Sequence, residues 1–367
     1  MESVVLFAAL FLAFVNGAND NMKGVATLYG SGVLGYRGAL ALATGSTLAG
    51  SLASVFLASG LVSAFSAKGL VPQASLTPAF LAAAGLAAGA TVLLATRFGF
   101  PVSTTHALLG GLAGAGFVAA GPALRLGALG AIFVLPLVAS PLLAVVLASG
   151  TYVTGRAARR RFGVEASTCV CVGEEWVPVA APAGAMARAA GGKLTVLVEA
   201  SPEECRRRYV GSFAGVSAQS AVTAGHVTSA AVVGFARGLN DTPKILGLVV
   251  GASALSPGAG AVAVSAAIAV GGLVGARRVA ETLARRLTPM NEGQGLAGNL
   301  STSILVAGAS GLGLPVSTTH VATGGIFGIG AASGELRWRT AGAVALAWVT
   351  TLPLAALLGA AAMAVLR

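Results

Sequence analysis

Long apolar stretches alternate with short polar ones along the whole chain. Three of the apolar stretches, all containing several glycines, are 38–61, 124–151 and 340–366. Each is long enough to cross a hydrocarbon core of ~30 Å as a helix, and glycine suits such helices because small residues let them pack closely. The apolar residues 4–15 have no basic segment before them and no cleavage site after them, which predicts a retained membrane helix. The pattern therefore predicts an all-α polytopic membrane protein.

The polar positions that interrupt these stretches recur in two copies. The hexapeptide PVSTTH occupies 101–106 and again 315–320, and FVNGANDNMKG at 14–24 matches FARGLNDTPKI at 235–245. Leu-Thr-Pro also occurs twice, 211 residues apart, while the longer motifs repeat after 214 and 221 residues. Because order and spacing are nearly preserved, the sequence predicts an internal duplication. Duplicated membrane halves are typical of transporters, in which two related bundles move around a site at their interface.

Residues 156–208 break the apolar pattern between the two copies. They are rich in charge and contain two β-like runs, STCVCV and KLTVLVE, separated by a Pro/Gly/Ala stretch. A segment of about 50 residues is too small for an independent enzyme core. The sequence thus predicts three regions: a first transmembrane repeat at 1–155, a hydrophilic cytosolic insert at 156–208 and a second transmembrane repeat at 209–367.

The charge of the chain is strongly positive although charged residues are few. The formal net charge is +11, with 10% of residues charged and 56% hydrophobic. In a soluble protein such an excess of basic residues would suggest nucleic acid as a partner. Here arginines cluster at 156–161, 206–208 and 277–286, between apolar stretches, which places these connections in the cytoplasm. Membrane lipid is therefore the expected partner, and nucleic acid is not.

The three cysteines lie close to these arginine clusters. Cys169, Cys171 and Cys205 are accordingly expected on the reducing side of the membrane, as free thiols. The Cys-x-Cys spacing would suit a metal ion, but no histidine lies near it in the sequence.

Each PVSTTH motif is predicted to begin a helix, with proline in its first turn and hydroxyls beside unpaired backbone N–H groups. Such a helix start binds anions, and two of them could converge on one tetrahedral oxyanion. The alternative is a pair of ordinary helix caps. Two histidines follow the hydroxyls and could donate to the anion, relay protons or pack. The candidate residues are Ser103, Thr104, Thr105, His106, Ser317, Thr318, Thr319 and His320.

The repeated Asn-Asp pairs are the most costly residues to place in a membrane, because each lies between apolar runs. Gly17 and Gly238, just before them, indicate unwound backbone, which a membrane tolerates only where it lines a cavity. Carboxylates there could contact the substrate, bind Na⁺ or exchange a proton. A lysine follows each Asp after three residues. The candidate ion-coupling residues are Asn19, Asp20, Lys23, Asn240, Asp241 and Lys244, with Na⁺ a candidate at Asn19, Asp20, Asn240 and Asp241.

The motifs NGAND and GLND, with twin PVSTTH motifs in two halves parted by a hydrophilic segment, resemble the PiT family of inorganic phosphate transporters. The resemblance covers nearly the whole chain apart from the insert. It implies an inverted-repeat fold with broken helices, and secondary active uptake of phosphate (sulfate in some relatives) coupled to Na⁺ or H⁺. It also implies that the Asn-Asp pairs coordinate ion and substrate, and that the Ser and Thr residues of both PVSTTH motifs bind the anion.

The resulting prediction is a transporter, not an enzyme, that imports inorganic phosphate across the cytoplasmic membrane by alternating access around a midplane anion site. No cofactor is expected beyond a coupling ion, H⁺ or Na⁺. A sulfate or other oxyanion permease, an anion channel and assembly as a homodimer stay open. HPO₄²⁻ has a proton to donate and SO₄²⁻ has none, so phosphate is selected if Asp20 or Asp241 touches the anion. A hydrolase with Ser103 as nucleophile is disfavoured, because nothing explains why its site would be doubled.

The two lysines depart from the pattern of the family, which usually continues from the Asp as Val-Ala-Asn and resembles a sodium-ligand arrangement. A lysine ammonium at this place supplies the positive charge that Na⁺ would otherwise supply, and a desolvated lysine gives up its proton more easily. We therefore hypothesise that Lys23 and Lys244 replace at least one sodium ion in each half, so that transport is H⁺-coupled or Na⁺-independent. The alternative is that both amines extend to the membrane interface and leave the sodium sites intact.

Overall fold

A computed structural model describes residues 1–57, 59–67, 70–125, 127, 135–180, 186–314 and 316–367. These residues form two compact units. The membrane unit consists of Met1–Tyr152 and Val227–Arg367, and the insert unit consists of Val153–His226. Pro315 of the second PVSTTH motif and part of the apolar stretch 124–151 lie outside the described residues.

The first half of the chain is mainly helical. Its helices are α1 (Glu2–Asp20), α2 (Ala26–Gly30), α3 (Tyr36–Leu57), α4 (Ser59–Phe65), α5 (Pro78–Arg97), α6 (Thr104–Ala120) and α7 (Leu135–Arg161). The start of α5 is fixed by local chemistry. The Thr77 hydroxyl accepts a hydrogen bond from the Phe80 N–H at 3.2 Å, and Pro78 at the first helical position has no N–H to satisfy.

The insert unit contains a three-stranded antiparallel sheet in the order β2-β1-β3. Its elements are β1 (Cys169–Ala180), β2 (Met186–Glu199), α8 (Pro202–Arg208) and β3 (Tyr209–Ser217). The β-like runs STCVCV and KLTVLVE contribute to β1 and β2, whereas β3 was not expected. The boundaries 1–155, 156–208 and 209–367, and the cytosolic location of the insert, stay predictions.

The cysteines of the insert unit differ from the expectation of three free thiols. Cys171 and Cys205 form a disulfide, while Cys169 is free and buried. The fold brings the pair together because Cys171 lies on β1 and Cys205 on α8, with their Cα atoms 6.2 Å apart. This Cα separation is within the usual range for a disulfide.

The second half of the chain is also helical. Its helices are α9 (Ala218–Gly251), α10 (Pro257–Gly275), α11 (Arg277–Glu281), α12 (Glu292–Gly311), α13 (Thr318–Ser333) and α14 (Trp338–Leu366). A π-helical turn at Thr282–Leu287 follows α11. A capping box starts α12, in which the side chains of Asn291 and Gln294 each accept a hydrogen bond from the other residue's N–H, at 3.0 and 2.8 Å.

Seven helices within the described residues are long and apolar enough to cross a membrane. They cover Glu2–Asp20, Tyr36–Leu57, Pro78–Arg97, Thr104–Ala123, Leu137–Arg161, Pro257–Gly275 and Trp338–Leu366. The apolar residues 4–15 belong to the first of them, as predicted. The prediction of a helical polytopic membrane protein is therefore confirmed.

Glycines pack the helices of the two halves against one another in matched pairs. At each of four glycines, a Cβ atom would lie within about 2 Å of a backbone oxygen on another helix, so only glycine permits the approach. In the α1–α10 contact these are Gly17 against Ile268 and Gly271 against Phe14, and in the α9–α3 contact Gly238 against Thr47 and Gly50 against Phe235. The two contacts are related by the same offset of 221 residues as the Asn-Asp motifs. The inverted orientation of the two halves stays a prediction.

These close contacts give Gly17 and Gly238 a role in helix packing, and both glycines lie within their helices. Gly17 lies within α1, which continues to Asp20 before a non-helical segment leads to α2. Gly238 lies within α9, which runs on through the second Asn-Asp pair to Gly251. The expected unwound segment before each Asp is thus wrong. The first repeat breaks after its Asp, and the second is continuous, with Pro243 inside the helix.

Candidate functional site

Both PVSTTH motifs start helices with a serine cap. Ser103 and Ser317 precede α6 and α13, and their hydroxyls accept hydrogen bonds from the N–H groups of His106 and His320, at 3.1 and 3.2 Å. The prediction that proline lies in the first helical turn is wrong for Pro101. This residue lies two positions before the cap, Ser103, whose backbone is extended and immediately precedes α6. Each cap satisfies only the third residue of its helix, which leaves the N–H groups of the two threonines before it without an intrahelical acceptor.

The starts of α6 and α13 lie against each other. The Thr319 hydroxyl donates to the Val102 carbonyl at 2.7 Å, and the rings of His106 and His320 lie 4.5 Å apart between centroids. The ring of Trp348 packs on His320 at 4.1 Å, and its N–H donates to the Pro101 carbonyl at 3.0 Å. Within the described residues, His106 Nδ1 and His320 Nε2 are buried without a hydrogen-bond partner. The predicted meeting of two helix starts is therefore present.

The two lysines connect these helix starts crosswise. Lys23 of the first repeat donates to the Thr319 hydroxyl of the second and, at 3.2 Å, to the Val102 carbonyl. Lys244 of the second repeat donates to the Thr105 hydroxyl of the first at 2.9 Å and to the Val316 carbonyl at 2.7 Å. Both lysines are 2% exposed, so the alternative in which their amines reach the membrane interface does not apply.

Each aspartate lies beside the lysine that follows it. Asp20 pairs directly with Lys23, and Asp241 Oδ1 is 3.5 Å from the Lys244 ammonium. The Asn16 amide joins the two carboxylates, donating at 3.3 Å to Oδ2 of each. The two Asp–Lys contacts follow from their i, i+3 spacing, which places both side chains on one side of a turn. The aspartates are 1% and 4% exposed.

The threonines that precede the lysine-bound ones also reach this cluster. Thr104 accepts a hydrogen bond from the Asn16 amide at 2.9 Å. Thr318 donates to the Asp241 carboxylate, with its hydroxyl 3.4 and 3.5 Å from the two oxygens. The predicted site residues from both repeats therefore belong to one connected network.

The Asn residues of the Asn-Asp pairs brace the segments before the helix starts. The Asn19 amide donates to Thr96 at 2.8 Å and to the Phe100 carbonyl at 2.9 Å, while its oxygen accepts from the Val102 N–H at 3.1 Å. Asn240 donates to the Val316 carbonyl at 3.2 Å. Its Oδ1 is buried and has no hydrogen-bond partner among the described residues. The side-chain oxygen of Asn19 already accepts a hydrogen bond, so the side-chain oxygen of Asn240 is the one of the two that is available to a cation.

Arg237 is a buried part of the site that the sequence analysis missed. Its guanidinium donates to Asn16 Oδ1 at 2.8 Å and to Thr47 and Asn21 at 3.2 and 3.3 Å, and its Nε lies 3.6 Å from Asp241 Oδ2. Arg237 is 2% exposed. A signal was present in the aligned motifs, because Arg237 occupies the position that corresponds to Asn16, 221 residues earlier. The shared residues of the two motifs do not reveal this polar difference.

The buried charges of the site do not balance. Among the residues that the structure describes, three cations, Lys23, Arg237 and Lys244, face two carboxylates, Asp20 and Asp241, and all five are at most 4% exposed. With every group ionised, the cluster carries one positive charge in excess. Such a charge is costly away from water. The arrangement therefore favours an anion, for which it also supplies hydroxyl and ammonium donors.

Comparisons with known proteins agree with this chemistry. The model of the phosphate transporter family matches residues 16–359. A probable low-affinity inorganic phosphate transporter of Mycobacterium bovis (strain ATCC BAA-935 / AF2122/97) is 31% identical over 372 residues, covering 97% of this chain and 75% of that protein. A protein of Bacillus subtilis (strain 168) with the same description is 25% identical over 376 residues, covering 99% and 96%.

A solved structure shares the fold over the full length. It is described as the sodium-dependent phosphate transporter and matches with a TM-score of 0.74 at 21% identity, covering 100% of this chain and 98% of that chain. The matched region of the family model includes both Asn-Asp pairs and both PVSTTH motifs. The chain belongs to the phosphate transporter family, a family of transporters rather than enzymes, and is a multi-pass protein of the cell membrane.

Proposed function

We propose that the protein is a secondary active transporter that imports inorganic phosphate across the cell membrane. The observation that carries the proposal is the excess positive charge of the buried cluster, in which Asp20 and Asp241 face three cations. An anion bound there would compensate that charge in an environment where water cannot. Membership of the phosphate transporter family supports phosphate as this anion.

Donors from both repeats would surround a tetrahedral oxyanion. Thr105 and Thr319 hold the lysine amines of the opposite repeat, so an anion taking over these contacts would gain two ammonium groups and two hydroxyls at once. The unpaired N–H groups at the starts of α6 and α13 add further donors. Because the donors come from both halves, movement of one half against the other would expose the anion to alternate sides, as alternating access requires.

The carboxylates do not by themselves select phosphate over sulfate. Asp20 accepts hydrogen bonds from Lys23 and Asn16. Asp241 lies beside the cationic side chains of Lys244 and Arg237. Since the aspartates hold these partners, a proton on the anion has no free carboxylate oxygen to meet. The preference for phosphate rests on the family, and a sulfate or other oxyanion permease is the alternative.

The lysines take the place of coupling cations in this proposal. Na⁺ is bound by several oxygen ligands, but the oxygens of Asp20 and Asp241 already accept hydrogen bonds from ammonium and amide groups. Phosphate uptake is then either coupled to H⁺ by proton exchange within the cluster or independent of Na⁺. The second candidate is Na⁺ symport. It is favoured by the unpartnered Oδ1 of Asn240 and by the sodium dependence in the description of the solved relative.

Uptake of labelled phosphate into proteoliposomes tests both parts. With an inward proton gradient and no Na⁺, we expect accumulation above the external concentration, abolished by a protonophore. The variants Asp20→Asn and Asp241→Asn keep the side-chain shape and each remove one carboxylate. Both are expected to lose concentrative uptake.

Other outcomes separate the alternatives. Equilibration without accumulation would identify a channel, and accumulation that requires Na⁺ at every pH would identify sodium symport. Sulfate that competes as well as unlabelled phosphate would show a general oxyanion permease.

A further inference from the structure

The three cysteines of the insert unit form a cluster that phosphate transport does not explain. Cys169 and Cys171 are two residues apart on β1, so their side chains point to the same face of the sheet. Cys205 of α8 lies against them on that face. The three sulfur atoms lie within 4.8 Å of one another. Exposure is at most 1% for each residue. Two strand positions and one helix position thus aim three thiol groups at one buried point.

The surroundings of the cluster hold it in place. Cys169, Cys171, Cys205 and Tyr209 form the buried core of the insert unit, with Leu197 and Phe213 packed against it. The Tyr209 hydroxyl donates to the Cys171 carbonyl at 3.0 Å and lies 3.1 Å from the Thr195 carbonyl, which ties β3 to both other strands. The sulfur atoms of Cys169 and Cys171 are therefore positioned by the sheet, and that of Cys205 by α8.

A unit of this size gains much from a cross-link in its core. The insert unit spans Val153–His226, and among its described residues the buried cluster consists of the three cysteines and Tyr209, with Leu197 and Phe213 packed against them. Small domains with little buried apolar surface are commonly held by disulfides or a structural metal ion. The disulfide between Cys171 and Cys205 is one such link, but it leaves Cys169 as a third buried sulfur beside the pair.

The donor set determines the class of metal ion that the reduced cluster would bind. Thiolates are soft ligands that select thiophilic ions such as Zn²⁺ and Cu⁺ over Mg²⁺ or Ca²⁺. Three thiolates around a divalent ion leave one net negative charge, whereas a monovalent ion would leave two. Because the cluster is buried among apolar side chains, the smaller net charge is favoured.

We propose that Cys169, Cys171 and Cys205 in their thiol form bind one divalent thiophilic metal ion of the zinc class. Binding replaces three S–H protons with three metal–sulfur bonds and releases the protons to solvent. A small exogenous ligand such as water completes four-coordination. In the disulfide form two of the three sulfurs are bonded to each other and are not thiolate ligands, so this form does not bind the ion.

The test uses the full chain in detergent micelles, reduced with a phosphine, and titrated with Zn²⁺ against a chromophoric chelator. One ion is expected per chain, and Co²⁺ in its place should give sulfur-to-metal charge-transfer absorption. Each of Cys169→Ser, Cys171→Ser and Cys205→Ser is expected to weaken Zn²⁺ binding by about 100-fold, because loss of even an outer-shell partner costs up to that much. Absence of stoichiometric binding by the reduced wild-type chain would overturn the proposal.

Two controls keep a negative result with the variants interpretable. Binding should survive in a His106→Ala/His320→Ala chain; loss of binding there, with retention in the cysteine variants, would assign the ion to the imidazoles and refute a cysteine site. In wild-type protein, bound Zn²⁺ should slow alkylation of all three cysteines under denaturant-free conditions. Equal alkylation with and without Zn²⁺ would contradict the proposal even if a cysteine variant failed to fold.

Discussion

The two repeats supply similar polar groups to the buried site, and the aligned Asn-Asp motifs differ in formal charge at one position. Lys23 and Lys244 make corresponding contacts, each with the Asp of its own repeat and a Thr of the other. Asn16 of the first repeat, however, corresponds to Arg237 of the second, and the two bond each other at 2.8 Å. The matched residues build a symmetric frame in which positive and negative charges cancel. The unmatched pair gives the site its net positive charge.

The backbones of the two repeats differ at the same place. In the first repeat α1 ends at Asp20, and turns lead to α2 at Ala26. In the second, α9 continues through Asp241 and Lys244, interrupted only by the missing N–H of Pro243. Fewer helical hydrogen bonds therefore hold the backbone around Lys23 than around Lys244. Local opening of the site would start more easily in the first repeat.

The largest effect should come from removing the unmatched charge. Arg237→Gln leaves Asp241 with one cation fewer and takes away the excess positive charge, so phosphate uptake should fall by about 100-fold or more, since breaking a buried ion pair costs several kcal/mol. Labelled uptake in proteoliposomes measures the loss. Arg237→Lys keeps the charge without the forked hydrogen bonds and should retain more activity than Arg237→Gln.

An exchange of the two residues sharpens this comparison. The double variant Asn16→Arg/Arg237→Asn restores the number of charges but moves the guanidinium to the first repeat. Recovery of uptake above the Arg237→Gln level would show that net charge is what matters. Uptake no better than in Arg237→Gln, from a protein with an unchanged unfolding temperature, would show that the position of the guanidinium matters as well.

A loss of similar size is expected from the matched lysines in Na⁺-free buffer. Lys23→Ala and Lys244→Ala each leave the Asp of their own repeat without its buried ammonium partner, so uptake should fall by about 100-fold. If the ammonium groups stand in for cations, adding Na⁺ should restore part of the uptake in the variants and leave wild-type uptake unchanged. Strict dependence of the wild-type protein on Na⁺ at all pH values, with both variants still active, would refute the substitution.

Duplication explains why so much of the site was predictable from sequence. A polar motif that occurs twice in an apolar chain indicates a functional site, as the Asn-Asp pairs and the PVSTTH motifs do. The i, i+3 spacing of Asp20 and Lys23 also gave their contact directly, because that contact is local. The crosswise bonds from each lysine to the opposite repeat could not be predicted, since they depend on how the halves pack.

The errors have equally specific causes. Glycine before Asp predicts unwinding, but Gly17 and Gly238 lie within helices, where each allows a neighbouring helix to approach its backbone. Arg237 could not be found from the similarity between the repeats, because the aligned residue of the first repeat is the uncharged Asn16. The disulfide between Cys171 and Cys205 depends on where α8 packs on the sheet, which residue spacing alone does not determine.

The smallest effect should come from the matched threonines. Thr105→Val and Thr319→Val each remove a hydroxyl that accepts a hydrogen bond from a lysine of the opposite repeat, while keeping the side-chain volume. The Thr319 hydroxyl also donates a hydrogen bond to the Val102 carbonyl. A net hydrogen bond is worth about 1 kcal/mol, so uptake should fall by about fivefold in Thr105→Val and further in Thr319→Val, which loses two hydrogen bonds. Thr105→Ser and Thr319→Ser keep the hydroxyl and should stay close to wild type. Unchanged uptake of labelled phosphate by both valine variants would mean that the crosswise hydrogen bonds do not contribute to transport.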